Sequence, residues 1–206
     1  MTATGRRLPR SFFARPSTDV APDLLGRVLV RSLPSGRRLR VRLVETEAYQ
    51  EDDPASHSFR GRTARTEVMF GPPGHLYVYF TYGMHFCMNV VTGRTGEGSA
   101  VLLRAAEPLE GLDAMRALRG VEDVRALCSG PGKLCQALGV DRSDDGEDVA
   151  RGARLSIHRG EPVDADRIEV TPRIGIRQAT DRPWRFVVGG DPFVSRAPGP
   201  RVTGSP

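Results

Sequence analysis

Two turn sequences divide the first half of the chain into paired runs of strand-forming residues. The tetrapeptide LPSG separates residues 28–31 from residues 38–49, and the tripeptide TYG separates residues 76–80 from residues 85–91. Each pattern predicts a β-hairpin, because a short turn between runs rich in β-branched and aromatic residues favours antiparallel pairing. Two predicted hairpins in one chain point to an antiparallel sheet, and this constrains the fold more than any other feature.

Helices and further strands are predicted around the hairpins. Ser17 is placed to cap a helix that carries Val20, Leu24 and Leu25 on one face, and Gly26 is placed to end it. Helical spacing predicts two more helices, one opening at Pro108 and closing at residue 120, and one over residues 132–139. Apolar runs predict strands at residues 100–105, 168–170 and 186–188.

The length and the absence of a long linker or repeat predict one domain over residues 1–206, with residues 1–10 and 196–206 frayed. No segment has the roughly 20 apolar residues of a membrane span, so an intracellular protein without membrane contact is expected. A monomer is a separate expectation. Three cysteines in apolar surroundings lack metal-ligand spacing and are expected to be buried free thiols: Cys87, Cys128 and Cys135.

The charge pattern favours a polyanionic partner. The net charge is +5, and Lys133 is the only lysine among 30 basic residues. Residues 6–15 contain four arginines and residues 27–42 contain six, and neither run contains an acid. Five acids lie within residues 141–148. This asymmetry predicts one basic face turned toward a ligand; solvated charge runs are the alternative.

Chemically active side chains concentrate in residues 44–89. This stretch holds all four tyrosines and three of the four histidines. Strand alternation puts Glu47 and Tyr49 on one face, and the second predicted hairpin presents Tyr82 at its tip. Arg104 interrupts an apolar run and needs a partner or a ligand. We interpret the stretch as the working site.

Other chemistries fit the sequence poorly. The acids of residues 45–53 and His57 could ligate a metal, but their spacing matches no standard ligand pattern, and residues 51–53 are expected to be a solvated loop. The segment GPGKLC lacks the residues of a phosphate loop, and no serine lies in a GxSxG context. A carboxylate base at Glu47 that activates water beside a stacked ligand fits best, against the alternative of an exposed strand carboxylate.

The residues assembled above resemble the alkyladenine (3-methyladenine) DNA glycosylase family. The most specific segments are VETEAY, YVYFTYGM and GPGKLCQAL, and the likeness covers nearly the whole chain except about ten residues at each end. The resemblance implies an α+β fold: a single compact domain with a curved antiparallel sheet, surrounding helices and a β-hairpin that protrudes toward DNA.

The resemblance also implies a role for each site residue. Glu47 would be the general base, and Arg104 would help to hold the water. The flipped base would lie between Tyr49 on one side and His57 with Tyr79 on the other, and Asn89 would exclude the 2-amino group of guanine. Tyr82 would fill the gap in the DNA, and the candidate DNA-backbone contacts are Arg65, Met84 and Lys133.

The implied activity is removal of alkylated or deaminated purines from double-stranded DNA, without metal or other cofactor. With a single lysine, the chain is expected to hydrolyse the glycosidic bond without cutting the strand, because strand cleavage needs an amine for a Schiff base. His85 stands where some members have a tyrosine, which leaves the lesion preference open. Two alternatives remain: a non-catalytic binder of DNA lesions, and an RNA-binding module.

Overall fold

The computed structural model describes residues 5–195, and it is built from eight strands, five short helices and three 3-10 turns. The strands are β1 (Val28–Ser32), β2 (Arg38–Tyr49), β3 (Leu76–Thr81), β4 (His85–Val91), β5 (Ala100–Glu110), β6 (Leu155–His158), β7 (Ile168–Thr171) and β8 (Arg185–Val188). The helices are α1 (Arg10–Phe13), α2 (Ser17–Asp23), α3 (Leu112–Arg119), α4 (Val124–Leu127) and α5 (Pro131–Ala137). The 3-10 turns are Glu67–Phe70, Arg142–Asp144 and Ala165–Arg167.

All eight strands join one antiparallel sheet in the order β3-β4-β5-β2-β1-β6, and β8 connects β7 to β2. Strand β2 is central: β5 pairs along one edge, while β1 and β8 share the other. Register shifts near Arg40 and Glu45 interrupt the β2–β5 ladder, and such irregularities bend a strand. The sheet curls into a half-barrel, which confirms the predicted α+β fold with a curved antiparallel sheet.

The two faces of β3 have different roles. Leu76 and Val78 point into the main hydrophobic core, where α2 packs on β2 and α5 packs on β4. Tyr77 and Tyr79 point to the opposite face, beside a smaller apolar cluster that includes Met69 and Phe70. This alternation follows from the two-residue period of a strand, and it turns a row of tyrosine rings away from the main core.

The structure corrects two predicted helix starts. Pro108 belongs to β5, where it is buried and pairs with Val41 beside a register shift, and helix α3 begins only at Leu112. A proline has no N–H for the ladder, and an irregular position accommodates it. Ser17 is the first residue of α2 rather than its cap; Pro16 precedes the helix, and no side chain caps it.

Several other predictions hold. Both hairpins and the strands near residues 168 and 186 are present, and α5 begins one residue before the helix predicted over residues 132–139 and ends two residues earlier. The three cysteines are free and buried, as expected. Helices α1 and α4 and strand β6 had not been predicted, because they are only four residues long and carry no clear periodicity.

The ends of the chain were expected to fray over residues 1–10 and 196–206. Residues 1–4 and 196–206 lie outside the described residues. Of the remaining ones, Leu8 is buried and its N–H donates to the carbonyl of Ile157, and Arg7 forms a bridge with His158. Within residues 5–195, no helix is long and apolar enough to cross a membrane.

Candidate active site

Three aromatic side chains form a wall on the second face of β3. The rings of Tyr77 and Tyr79 stack with centroids 5.5 Å apart, and the His57 ring stands edge-on to Tyr79 at 4.5 Å. His57 Nδ1 lies 3.0 Å from the Tyr77 hydroxyl, which orients the imidazole. We call His57, Tyr77 and Tyr79 the aromatic wall.

A cavity of about 630 Å³ opens in front of this wall. Six residues singled out from the sequence line it: Tyr49, His57, Tyr79, Tyr82, Asn89 and Arg104. Its opposite rim is the irregular segment of residues 174–178, which follows β7 in the chain. The volume lies within the usual range for small-molecule sites, and the lining combines ring faces with a few polar groups.

Glu47 lies directly behind the cavity rather than on its surface. Its side chain has no exposed area, and it is not among the lining residues. Oε2 accepts hydrogen bonds from the Tyr49 hydroxyl at 2.8 Å and from Arg104 Nη1 at 3.2 Å. Oε1 accepts one from the backbone N–H of Ile174 at 2.8 Å. All three donor residues line the cavity, so they form the partition between it and the carboxylate.

A second carboxylate balances the arginines beside Glu47. Glu45 is fully buried and accepts from Arg104 Nε at 3.0 Å and from Arg185 Nε at 2.6 Å. It also accepts from the backbone N–H and the hydroxyl of Ser195, at 2.7 and 2.9 Å. We call Glu45, Glu47, Arg104 and Arg185 the charged centre; its two acids and two guanidinium groups compensate one another, as buried charges require.

The surroundings hold three of these groups in defined protonation states. Burial lowers the pKa of Arg104, but Glu47 and Glu45 outweigh it and raise the pKa overall, so the guanidinium stays charged. Burial and the neighbouring Glu47 carboxylate raise the pKa of Tyr49 well above its ordinary value, so the phenol stays protonated. Desolvation and Arg65 lower the pKa of His57, which favours a neutral imidazole at pH 7.

Asn89 is fixed at the floor of the cavity. Its side chain is buried, and its Nδ2 donates to the carbonyl of Tyr77 at 3.2 Å. This bond assigns the amide orientation and holds the residue beside the aromatic wall.

The hairpin of β3 and β4 ends in an exposed aromatic tip. Tyr82 and Gly83 have φ values of 53° and 69°, and Met84 N–H closes the turn on the carbonyl of Thr81 at 3.2 Å. Tyr82 is 79% exposed and Met84 69%. A non-glycine residue with positive φ is uncommon, and here it projects a large ring into solvent at the mouth of the cavity.

The three candidate DNA-backbone contacts lie outside the cavity lining. Arg65 is exposed, with its guanidinium 5.8 Å from the centre of the Tyr79 ring. Lys133 is exposed on α5, and its Nζ lies 3.3 Å from the Ser129 hydroxyl. Beside it, a Cβ added at Gly132 would lie 3.0 Å from the His85 ring, so His85 and the first turn of α5 are in close contact. Met84 belongs to the hairpin tip.

The predicted solvated loop at residues 51–53 is wrong for Asp53. Asp53 is fully buried and both its oxygens face the guanidinium of Arg173. The predicted basic face also has fewer unpaired positive charges than expected, because several of its arginines form salt bridges. Arg31 pairs with Asp144, and Arg10 pairs with Asp148. Asp53 follows two other acids in the sequence, and such a run is usually solvated. Its burial depends on Arg173, which lies 120 residues away in the chain.

Arg173, Ile174 and Arg185 were not predicted as neighbours of the candidate base. Arg185 lies in the segment RPWRFVV, within the part of the chain that the family likeness covers, and this offered a signal for it. Arg173 and Ile174 lie in an irregular segment without periodicity, so nothing in the pattern distinguished them.

A family model described as methylpurine-DNA glycosylase matches residues 11–192. The chain belongs to the methylpurine-DNA glycosylase family. This confirms the resemblance noted from the sequence, and every residue that lines the cavity lies inside the matched range.

Relatives within the methylpurine-DNA glycosylase family match the chain almost end to end. A protein of Carboxydothermus hydrogenoformans named "Putative 3-methyladenine DNA glycosylase" is 52% identical over 92% of this chain and 98% of its own. Proteins of the same name from Streptomyces avermitilis and Methanocella arvoryzae are 52% and 49% identical, over 94% and 93% of this chain and 94% and 98% of their own.

Proposed function

We propose that this protein is a monofunctional DNA glycosylase that removes alkylated or deaminated purines, such as 3-methyladenine, 7-methylguanine and hypoxanthine, from double-stranded DNA. The observation that carries the proposal is the pairing of an aromatic cavity with a buried carboxylate directly behind it. Family membership and the names of the relatives support it. The proposed substrate implies an intracellular protein that works at the nucleoid, and a monomer suffices for it.

The exposed tip supports base flipping. A base inside a duplex is out of reach, and rotating it out of the stack costs a few kcal/mol. Tyr82, held out by its positive φ, would occupy the gap that the base leaves. Arg65, Met84 and Lys133 occupy exposed positions outside the cavity lining and would contact the DNA backbone.

The cavity lining supports selection of the base. The flipped purine would stack between Tyr49 and the rings of His57 and Tyr79. Tyrosine faces attract cations, and a neutral His57 does not repel them, so a positively charged alkylated purine is favoured. Asn89, fixed by its bond to Tyr77, would clash with the 2-amino group of an ordinary guanine.

The charged centre supports hydrolysis. Glu47 would take a proton from water as the water oxygen bonds to C1′ of the sugar and the C1′–N bond breaks, and the bonding pair leaves with the base. The carboxylate also stabilises the positive charge that develops on the sugar. Arg104, bonded to Glu47, would help to hold the water. A neutral lesion such as hypoxanthine also needs protonation as it leaves.

The chain's only lysine argues against a strand-cutting step. Lys133 is exposed and does not line the cavity. A Schiff-base mechanism needs an amine at C1′, so the expected product is an intact strand with an abasic site.

The enclosure of Glu47 favours one alternative, a non-catalytic lesion binder. A carboxylate without exposed area receives a water only after part of the partition moves. Such a protein would keep the stacking cavity and the tip but would not cleave the bond.

Single-turnover excision from a duplex with one hypoxanthine tests the proposal, with alkali used to reveal abasic sites. The wild type should produce abasic sites and leave undamaged duplex intact, in buffer that contains excess chelator. Borohydride should trap no covalent adduct; a trapped adduct would overturn the monofunctional assignment. If neither hypoxanthine nor methylated DNA is cleaved while damaged duplex is bound selectively, the protein is a lesion binder.

A further inference from the structure

One hydrogen bond to Glu47 comes from outside the sheet. Tyr49 and Arg104, which hold Oε2, belong to β2 and β5. Ile174, whose N–H holds Oε1, belongs to the irregular segment between β7 and β8. The position of Oε1 therefore depends on what holds this segment in place.

Arg173 is the anchor of the segment. Its side chain is fully buried, and its two terminal nitrogens face both oxygens of Asp53. The same nitrogens donate to the carbonyls of Ala48 at 3.0 Å and Ala179 at 3.4 Å. One guanidinium group thus joins strand β2, the loop that follows it, and the far end of the segment that covers Glu47.

Aromatic rings fix the plane of this guanidinium. Its carbon lies 4.7 Å from the centre of the Tyr49 ring and 5.3 Å from that of Trp184. Arg173 does not line the cavity, whereas Tyr49 does, so the guanidinium packs on the part of Tyr49 turned away from the cavity. Arg173 is therefore linked to two of the three residues that separate Glu47 from the cavity: Ile174 follows it in the chain, and its guanidinium packs on the Tyr49 ring.

The acceptor capacity of Glu47 shows why this position matters. Each carboxylate oxygen has two lone pairs. Among residues 5–195, Oε2 receives two donors, whereas Oε1 receives only the Ile174 N–H. Oε1 is therefore the oxygen with free capacity for a proton, and the Ile174 N–H sets the direction of its remaining lone pair.

We propose that Arg173 is a positioning residue for Glu47: its ion pair with Asp53 holds the Ile174 N–H on Oε1 and so orients the oxygen that takes the proton. This inference rests on the proposed function, because it assigns the geometry of the same base. Arg173 does not line the cavity, so it would act on the reaction only through Ile174 and Tyr49.

The test compares Arg173→Lys with Arg182→Gln. Lysine keeps the buried charge but cannot bond Asp53, Ala48 and Ala179 together as the planar fork does. Arg182 belongs to the same segment and also packs on the Trp184 ring, at 4.7 Å, but it pairs with the exposed Asp52 at 3.4 Å rather than with Asp53, and it serves as the matched control. Single-turnover excision of hypoxanthine is measured from pH 5 to 9, together with binding to a duplex that carries an abasic-site analogue.

Arg173→Lys should lower the maximal rate by about 10- to 100-fold, because a displacement of about 1 Å has this consequence for a reacting group. Its DNA affinity should change by less than about 3-fold. The acidic limb of its pH–rate profile should move to higher pH, since an N–H donor favours the carboxylate over the carboxylic acid. Arg182→Gln should match the wild type in all three measurements.

If Arg173 had a purely structural role, Arg173→Lys would contain a smaller fraction of active protein, and the acidic limb of its pH–rate profile would stay at the wild-type pH. An unmoved limb in folded Arg173→Lys, or wild-type rates, would overturn the inference. If this variant does not fold, Ile174 is replaced by its α-hydroxy acid, which removes only the N–H; the same shift is expected, and its absence is decisive. Failure of the wild type to excise any lesion would instead contradict the proposed function.

Discussion

The charged centre and the hairpin tip both border one cavity, and they are built in opposite ways. Glu45 and Glu47 have no exposed side-chain area. Both accept hydrogen bonds from Arg104, from a hydroxyl group and from a backbone N–H group. Tyr82 at the tip is 79% exposed. A buried charge is expensive unless it is paired, whereas an exposed ring needs only a turn that can hold it. The first region therefore depends on long-range packing and the second on local sequence.

This difference makes a clear expectation for mutants. Changes at the charged centre should affect stability and catalysis together, unless they preserve both shape and pairing. Changes at the tip should affect DNA handling and leave stability alone. The following variants test that separation, and those with the strongest expected consequences come first.

Arg104→Met should have the largest effect, because it leaves Glu47 and Glu45 without the guanidinium that both share. Removal of one partner from a buried ion pair lowers the free energy of unfolding by about 3–5 kcal/mol. For a chain of this size the thermal midpoint should fall by about 10 °C. A midpoint within about 2 °C of the wild type in calorimetry would show that the centre does not depend on pairing.

Glu47→Gln should remove the base while keeping the shape of the side chain. We expect excision to fall by about 100-fold or more, with affinity for a hypoxanthine duplex unchanged. Single-turnover kinetics and fluorescence anisotropy measure the two quantities. Full activity in this variant would exclude Glu47 as the base. A loss of DNA affinity as large as the loss of excision would show that the charged centre, like the hairpin tip, takes part in DNA binding.

Tyr82→Ala should weaken lesion excision by about 10-fold, since stacking by one aromatic ring contributes about 1–3 kcal/mol. Its thermal midpoint should stay at the wild-type value because the ring is exposed. Tyr82→Gly should lose the same activity yet be slightly more stable, because glycine adopts the positive φ of this position freely. A destabilised Tyr82→Ala would contradict the proposed separation.

Lys133→Gln should have the smallest effect. If Lys133 contacts one phosphate, the slope of log affinity against log salt should become shallower by about 1. Lys133→Arg keeps the charge and should retain the slope. Equal slopes for all three proteins, from binding titrations at several salt concentrations, would remove Lys133 from the DNA contacts.

Much of the fold could be predicted because its signals are local. The hairpins around LPSG and TYG follow from turn residues and strand alternation, and they matched the structure to within one residue. A helix start was predicted at Pro108 because proline is common at the first position of a helix. The prediction was wrong, because the irregular pairing of Pro108 with Val41 makes it a strand residue. Helical spacing cannot detect such a partner.

The candidate site was predicted in the same uneven way. The cavity-lining rings could be named from the sequence, since β3 presents Tyr77 and Tyr79 on one face by simple alternation. The enclosure of Glu47 by Ile174 could not, because 127 residues separate them in the chain. Asp53 was taken for a solvated acid for the same reason; its partner Arg173 lies 120 residues away.

The antiparallel strands, the exposed tip and the ring face of the cavity could be predicted from the sequence, because turn preference and two-residue alternation act between near neighbours. The burial of the charges, and the oxygen of Glu47 that remains open to a proton, follow from contacts between residues far apart in the chain. The state of a charged group depends on the atoms that replace water around it, and here those atoms come from β5, β8 and the segment anchored by Arg173.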